Sequence, residues 1–420
     1  MRNRIVENWL TNSSERAYKV PFCQLLISKG YKLVHNTRDG PFEQGKDVIA
    51  IDPKGKPCAF QLKRGNITQR DWQQIKAEIE QLVEIPIIHP SVPKNVKYTA
   101  FLVSNGQLSE EVRREIDDRN EGWKKKGYPS LNTWLGGELL GDFQTYYGDF
   151  FPVEVKDLSL FLSLFKEDGK EPFNKELLAQ LLEGLLPIKI TEFSTLRKTE
   201  VAQSINSTVV IVSYILGKKY QEKNHIAIID AWTLVLAYIF ALVEKENLLK
   251  KMYEQTVLLV LSELDDVFVA LIKELSERKH YVEGDALADV AVYKARITFL
   301  SGYLCAYALW KTINKERVDT DFITQFLNEN TKKLILLGES MSPLLFNVIL
   351  FRQVVGTDDH ARVLLTILVN SILAVNVPFK GEGLPDPYHA ISDLIRFQLG
   401  LTQGFDEEGF KGVSYSMKPA

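Results

Sequence analysis

Cysteine and histidine are scarce in this sequence of 420 residues. The three cysteines, Cys23, Cys58 and Cys305, are odd in number and far apart, which argues against a disulfide framework and against a zinc site. The six histidines, His35, His89, His225, His280, His360 and His389, show no metal-ligand spacing. A nucleophile elbow and a phosphate-cradling glycine loop are also missing, so neither serine-hydrolase chemistry nor an NTP-driven motor is encoded here. The first residues, MRNRIVENWL, carry no apolar stretch behind their positive charges, so no secretory signal is read and a reducing cytoplasm is the expected location.

Long hydrophobic runs are lacking too, with one exception. Residues 226 to 243, IAIIDAWTLVLAYIFALV, contain Asp230 as their only charge and reach the lower limit of a membrane-spanning length. The neighbouring segments are amphipathic and an aspartate facing lipid is costly, so the expectation is a helix buried in a bundle, with no membrane involved. No strong excess of one charge exists either, the formal net being -3. The two parts of the chain differ mildly. Residues 1 to 150 hold 22 Lys+Arg against 19 Asp+Glu, leaving 29 against 35 for the rest, as suits an N-terminal part that meets a polyanion.

What is present divides near the middle. Up to residue 150 strands and helices interleave: RIVENWLTNSSERAYKVPFCQLLISKG as one helical run, YKLVHN, GKDVIAID and CAFQLKRG as strands, TQRDWQQIKAEIEQLVE as a helix, KYTAFLVSN as a strand and LSEEVRREIDDRNEGWKKKG as a helix. This order predicts an α/β domain over 1–150 with a mixed central sheet. Residues 151–172, which include KEDGKEP, read as a linker. From 173 to 420 almost every segment is apolar at helical spacing, which predicts a larger all-α domain of eight or nine helices. Acidic and apolar, that domain suits oligomerisation or sensing of a partner better than DNA reading, which calls for a basic face.

Two strands carry charges where a buried strand should have none. If PKGKP turns about Gly55, antiparallel pairing sets Asp47 opposite Lys63 and Ile49 opposite Gln61, and alternation sends Asp47, Gln61 and Lys63 to one face. Val48, Ala50, Phe60 and Leu62 take the other. One end of the hairpin then presents a carboxylate, an amide and an ammonium. Asp47 and Gln61 offer oxygens suited to a hard cation, and an ammonium beside them suits a developing phosphate charge. The plainer alternative is an ion pair at a strand end.

The order of helix, SKGYKLV, GKDVIA, turn, FQLKR, helix and TAFLVSN resembles the catalytic domain of the Mrr-like restriction endonucleases, within the PD-(D/E)xK nuclease superfamily. The resemblance spans roughly the first 145 residues. It implies a restriction-endonuclease-like fold and a Mg²⁺-dependent hydrolysis of DNA phosphodiester bonds, with Mn²⁺ able to substitute, in restriction or antiphage defence. Matched position by position, Asp47 is a metal ligand, Gln61 the second active-site position and Lys63 the catalytic lysine. Gln61 departs from the superfamily's usual carboxylate and removes one negative charge, so another acid is needed. Glu15 matches the family's helix acid, with Glu7 and Glu43 as other candidates. Lys54 and Lys56 in the turn, and Arg64 and Arg70 beyond it, are candidate DNA-backbone contacts. A protein that binds nucleic acid on this fold without cutting is the alternative.

Overall fold

A computed structural model describes residues 2–36, 45–93, 96–147, 155–187, 198–278, 290–334, 341–355 and 358–376. The chain forms two compact units, Met1–Val267 and Phe268–Ala420.

The first unit begins with α1 (Arg2–Asn12) and α2 (Glu15–Ser28). The single helical run expected over this stretch is broken, because Ser14 is extended and its side chain accepts from the Ala17 N–H, capping a new helix. Then come β1 (Lys32–Asn36), β2 (Val48–Ile51), β3 (Pro57–Lys63), α3 (Gln69–Glu84), β4 (Thr99–Ser104), α4 (Glu110–Lys125), β5 (Leu131–Trp134) and α5 (Gly136–Tyr147). The sheet runs β1-β2-β3-β4-β5. Its first three strands pair antiparallel, and β3-β4 and β4-β5 pair parallel through the α3 and α4 crossovers, so the expected mixed sheet is present. Thr68 and Asp71 close α3 with a reciprocal capping box, which fixes where the chain leaves β3 and turns helical.

Alternation along the strands sorts side chains into two layers. On one face Ile49, Ala59, Ala100 and Leu102 pack with Trp72, Ile79 and Leu82 of α3 and Val112 and Ile116 of α4. On the other, Phe60 stacks on Phe101 with centroids 5.0 Å apart, and Phe22 of α2 meets Phe60 edge-on at 5.4 Å. Full burial of each large apolar side chain contributes about 1.5–3 kcal/mol, enough that this core tolerates one costly polar residue among many.

The hairpin turn differs from the expectation. Asp52 Oδ1 accepts from the N–H groups of Lys54 and Lys56, and Gly55 takes a φ of +83°. The loop is therefore centred on Lys54, and Ile49 pairs with Ala59 instead of Gln61. A shift of two residues keeps every side chain on its expected face, because side-chain alternation has period two.

Further helices follow in the same unit: α6 (Val155–Phe165), within the stretch read as linker, α7 (Lys175–Leu185), α8 (Lys198–Gln221), α9 (His225–Glu246) and α10 (Glu254–Glu277), whose last residues continue beyond Val267. Helix α8 packs along α2, whose buried residues cover nearly its whole circumference. Helix α9 is the one described helix long and apolar enough to cross a membrane, with mean hydropathy 2.3 and half of that window buried. Its Asp230 pairs with Lys175 at 3.4 Å, and its Trp232 indole donates to the Tyr220 hydroxyl at 3.0 Å.

The second unit holds α11 (Val290–Ile313), α12 (Thr320–Asn330), α13 (Ser342–Val355) and α14 (Asp358–Asn376). Helix α11 packs against α13, with Met341 and Leu344 buried beside Ala295, and buried Arg352 donates to Asn328 Oδ1 at 2.8 Å. Eight α-helices thus follow residue 173 among the described residues, in line with an all-α C-terminal region.

Candidate functional site

The site lies where β2 begins and β3 ends. Val48 pairs with Phe60, so Asp47, one residue before β2, comes opposite Gln61, not opposite Lys63 as expected. Its backbone N–H donates to Phe60 O at 2.9 Å, and its Oδ2 accepts from the Leu62 N–H at 2.6 Å. The carboxylate thus takes over the ladder where the strand's own carbonyls stop. Burial pushes the Asp47 pKa up to about 6, against the pull of the Leu62 N–H and of Lys63 and Lys19, and with a push from Glu15.

Gln61 is 5% exposed, and its Oε1 is a buried acceptor with no hydrogen-bond partner. An orphaned acceptor of this kind costs about 1–3 kcal/mol and calls for an explanation. Lys63 follows on the same face. Its Nζ lies 2.6 Å from Glu78 Oε2 of α3, its side chain 14% exposed and that of Glu78 48%. Burial acts to lower the lysine pKa, but the hydrogen bond to Glu78 and the fields of Glu15, Glu78 and Asp47 outweigh it and hold the ammonium above its ordinary value. The Lys63 carbonyl is held from the opposite layer by the hydroxyl of Tyr18, a fully buried residue of α2, at 2.8 Å.

Glu15 stands at the first position of α2, exposed, and accepts from the Arg64 N–H at 3.1 Å. Its field reaches Asp47, Lys63 and Tyr18, so the structure brings this helix acid to the same strand end. Arg64 follows Lys63 directly, and Arg70 is exposed in the first turn of α3. Lys54 and Lys56 are not brought to the site. They lie in the turn at the other end of the hairpin, separated from Asp47 by the four residues of β2, roughly 13 Å at about 3.3 Å per residue. Glu7 is exposed on α1, and Glu43 lies outside the described residues.

No family model, curated protein or solved structure matches this chain. The site must therefore be judged on its donors. Among the described residues no three or more His, Cys, Asp or Glu side chains are close enough together to hold a metal ion. The described residues alone thus form no cage made wholly of protein. Mg²⁺ seldom uses one: it keeps several waters and takes one or two carboxylates plus substrate phosphate oxygens. Asp47, Glu15 and the unpartnered Gln61 Oε1 fit that smaller demand in number and in donor type.

Three residues here escaped the sequence reading. Glu78 falls one position before Ile79 on the Trp72, Ile75, Ile79 apolar stripe of α3, a spacing that marks it as bordering the sheet. Tyr18 reads as another core aromatic. Lys46, buried beside Asp47, donates to Gln81 O at 3.3 Å, and burial lowers its pKa to about 8. Only the docking of α3 against this loop identifies it.

Proposed function

We propose that this chain is a metal-dependent endonuclease that hydrolyses DNA phosphodiester bonds on a restriction-endonuclease-like fold. The observation that carries the reading is the buried, unpartnered Gln61 Oε1 opposite Asp47, with the Lys63 ammonium two residues further along the same face. A divalent cation held there would supply a lowered pKa to the attacking water and a polarised scissile phosphate. Asp47, Glu15 and Gln61 would supply the oxygens that hold it. Lys63 meets negative charge developing on the phosphate or orients the water, and it does so from a partly dry site where its field counts for more. Arg64 and Arg70, exposed beyond β3, are the candidate contacts to the DNA backbone.

Service in restriction or antiphage defence rests on the Mrr-like resemblance, and the free, buried cysteines Cys23, Cys58 and Cys305 suit a cytoplasmic setting. The helical region acts as the controlling part through self-association or a partner protein. Phe346, Leu350 and Val354, exposed at four-residue spacing on α13, support an interaction face there.

One observation favours a second reading, a nucleic-acid binder that does not cut: no three metal-ligating side chains come together among the described residues. Supercoiled plasmid DNA separates the two. The nuclease nicks or linearises it with Mg²⁺ or Mn²⁺ and stops with EDTA, whereas the binder retards it intact with or without cation.

A further inference from the structure

Glu78 joins both halves of the site. Its carboxylate holds Lys63 at 2.6 Å. Its backbone carbonyl lies under the segment that leads into Asp47, because Gly45, at φ +71°, approaches so closely that a Cβ would fall 2.2 Å from Glu78 O and 3.0 Å from Leu82 N. Lys46 then anchors the same segment on the Gln81 carbonyl. One turn of α3, from Glu78 to Leu82, is the common floor for Asp47 and for the Lys63 side chain.

Stability does not explain the ion pair. The pair is open to solvent on its Glu78 side, and a solvent-screened pair contributes about 0–1 kcal/mol. A lysine side chain has four rotatable bonds, and the clamp from Tyr18 fixes only the Lys63 carbonyl. Among the described residues, Glu78 is the one ion-pair partner that holds the ammonium. With it, the ammonium is held on the face that carries Gln61, whose Oε1 is buried without a partner.

We propose that Glu78 is a positioning residue: it fixes the Lys63 ammonium in register with Asp47 and Gln61 for attack on the phosphodiester. This rests on the nuclease reading of the site. The test uses the full chain and three variants, Glu78→Gln, Glu78→Asp and, as a control, Glu80→Gln, which loses the comparable half-exposed ion pair of Glu80 with Arg119 at 2.7 Å on the same helix. Thermal melts establish that all three fold. Two readouts are taken: cleavage kinetics on plasmid DNA, and the order of the Lys63 Cε methylene by ¹³C relaxation, its resonance assigned by its loss in Lys63→Arg.

Glu78→Gln is expected to lower kcat about tenfold with KM changed less than about twofold, the pattern of a displaced group. Glu78→Asp recovers part of the rate, Glu80→Gln none of the defect, and the Lys63 methylene becomes as mobile as that of an exposed lysine in Glu78→Gln only. Wild-type kinetics together with unchanged Lys63 order in Glu78→Gln overturns the proposal. If the wild type cuts nothing, the nuclease reading falls, and the relaxation measurement still decides whether Glu78 holds Lys63.

Discussion

Replacing Asp47 by Asn should make the protein more stable in alkaline buffer. The folded-state pKa of Asp47 rises from 3.8 to about 6, chiefly through burial. Because the folded pKa lies above the unfolded one, the folded state binds the proton more tightly, and stability falls as pH rises from about 4 through 6. A shift of about two units corresponds to about 3 kcal/mol, present as a loss at every pH above 6. Asn keeps an oxygen for the Leu62 N–H and carries no charge. Asp47→Asn should therefore gain about 3 kcal/mol on wild type at pH 8 relative to pH 4, or about 6 °C in Tm for a unit of this size. A divalent cation offsets most of this difference. At about one hundred times its Kd it returns about 2.7 kcal/mol to wild type and little to the variant. Thermal melts at pH 4 and 8, with EDTA or Mg²⁺, measure all four conditions. Equal destabilisation of Asp47→Asn at both pH values would make Asp47 a structural ion-pair partner of Lys63 and refute the reasoning.

Gln61→Glu places a second buried carboxylate opposite Asp47, so Tm in EDTA at pH 8 should fall by the equivalent of about 3 kcal/mol, with Mn²⁺ restoring most of it. A fall that Mn²⁺ does not touch argues that no cation sits between these residues. Gly45→Ala drives a Cβ into the Glu78 carbonyl at a left-handed φ, with an expected cost of about 1–3 kcal/mol by chemical denaturation and a larger loss of cleavage, since Asp47 moves with the segment. Wild-type cleavage in Gly45→Ala would show that the approach of this segment to α3 is not needed.

The faces of the sheet were legible because alternation alone assigns Asp47, Gln61 and Lys63 to one side. The register was not. It depends on Asp52 closing a loop through Lys54 and Lys56, and a turn one residue off changes each pairing by two while leaving the faces intact. The distance of Lys54 and Lys56 from the site follows from either register, since both lie in the turn at the far end of the hairpin. The break between α1 and α2 rests on one Ser14 cap inside a polar NSS stretch that helical periodicity runs straight through. Glu78 and Lys46 belong to the site by tertiary docking of α3, a contact fifteen or more residues away in sequence that no local pattern encodes.

The central claim is that Asp47 and Lys63 form one cation-dependent hydrolytic site. The most direct measurement is the single-turnover cleavage rate of supercoiled plasmid against Mg²⁺ concentration for wild type, Asp47→Ala and Lys63→Ala, each checked for folding by circular dichroism. Wild type should show saturable, EDTA-sensitive cleavage, and both variants a rate lower by about 10² or more. Cleavage by either variant at the wild-type rate would contradict that claim.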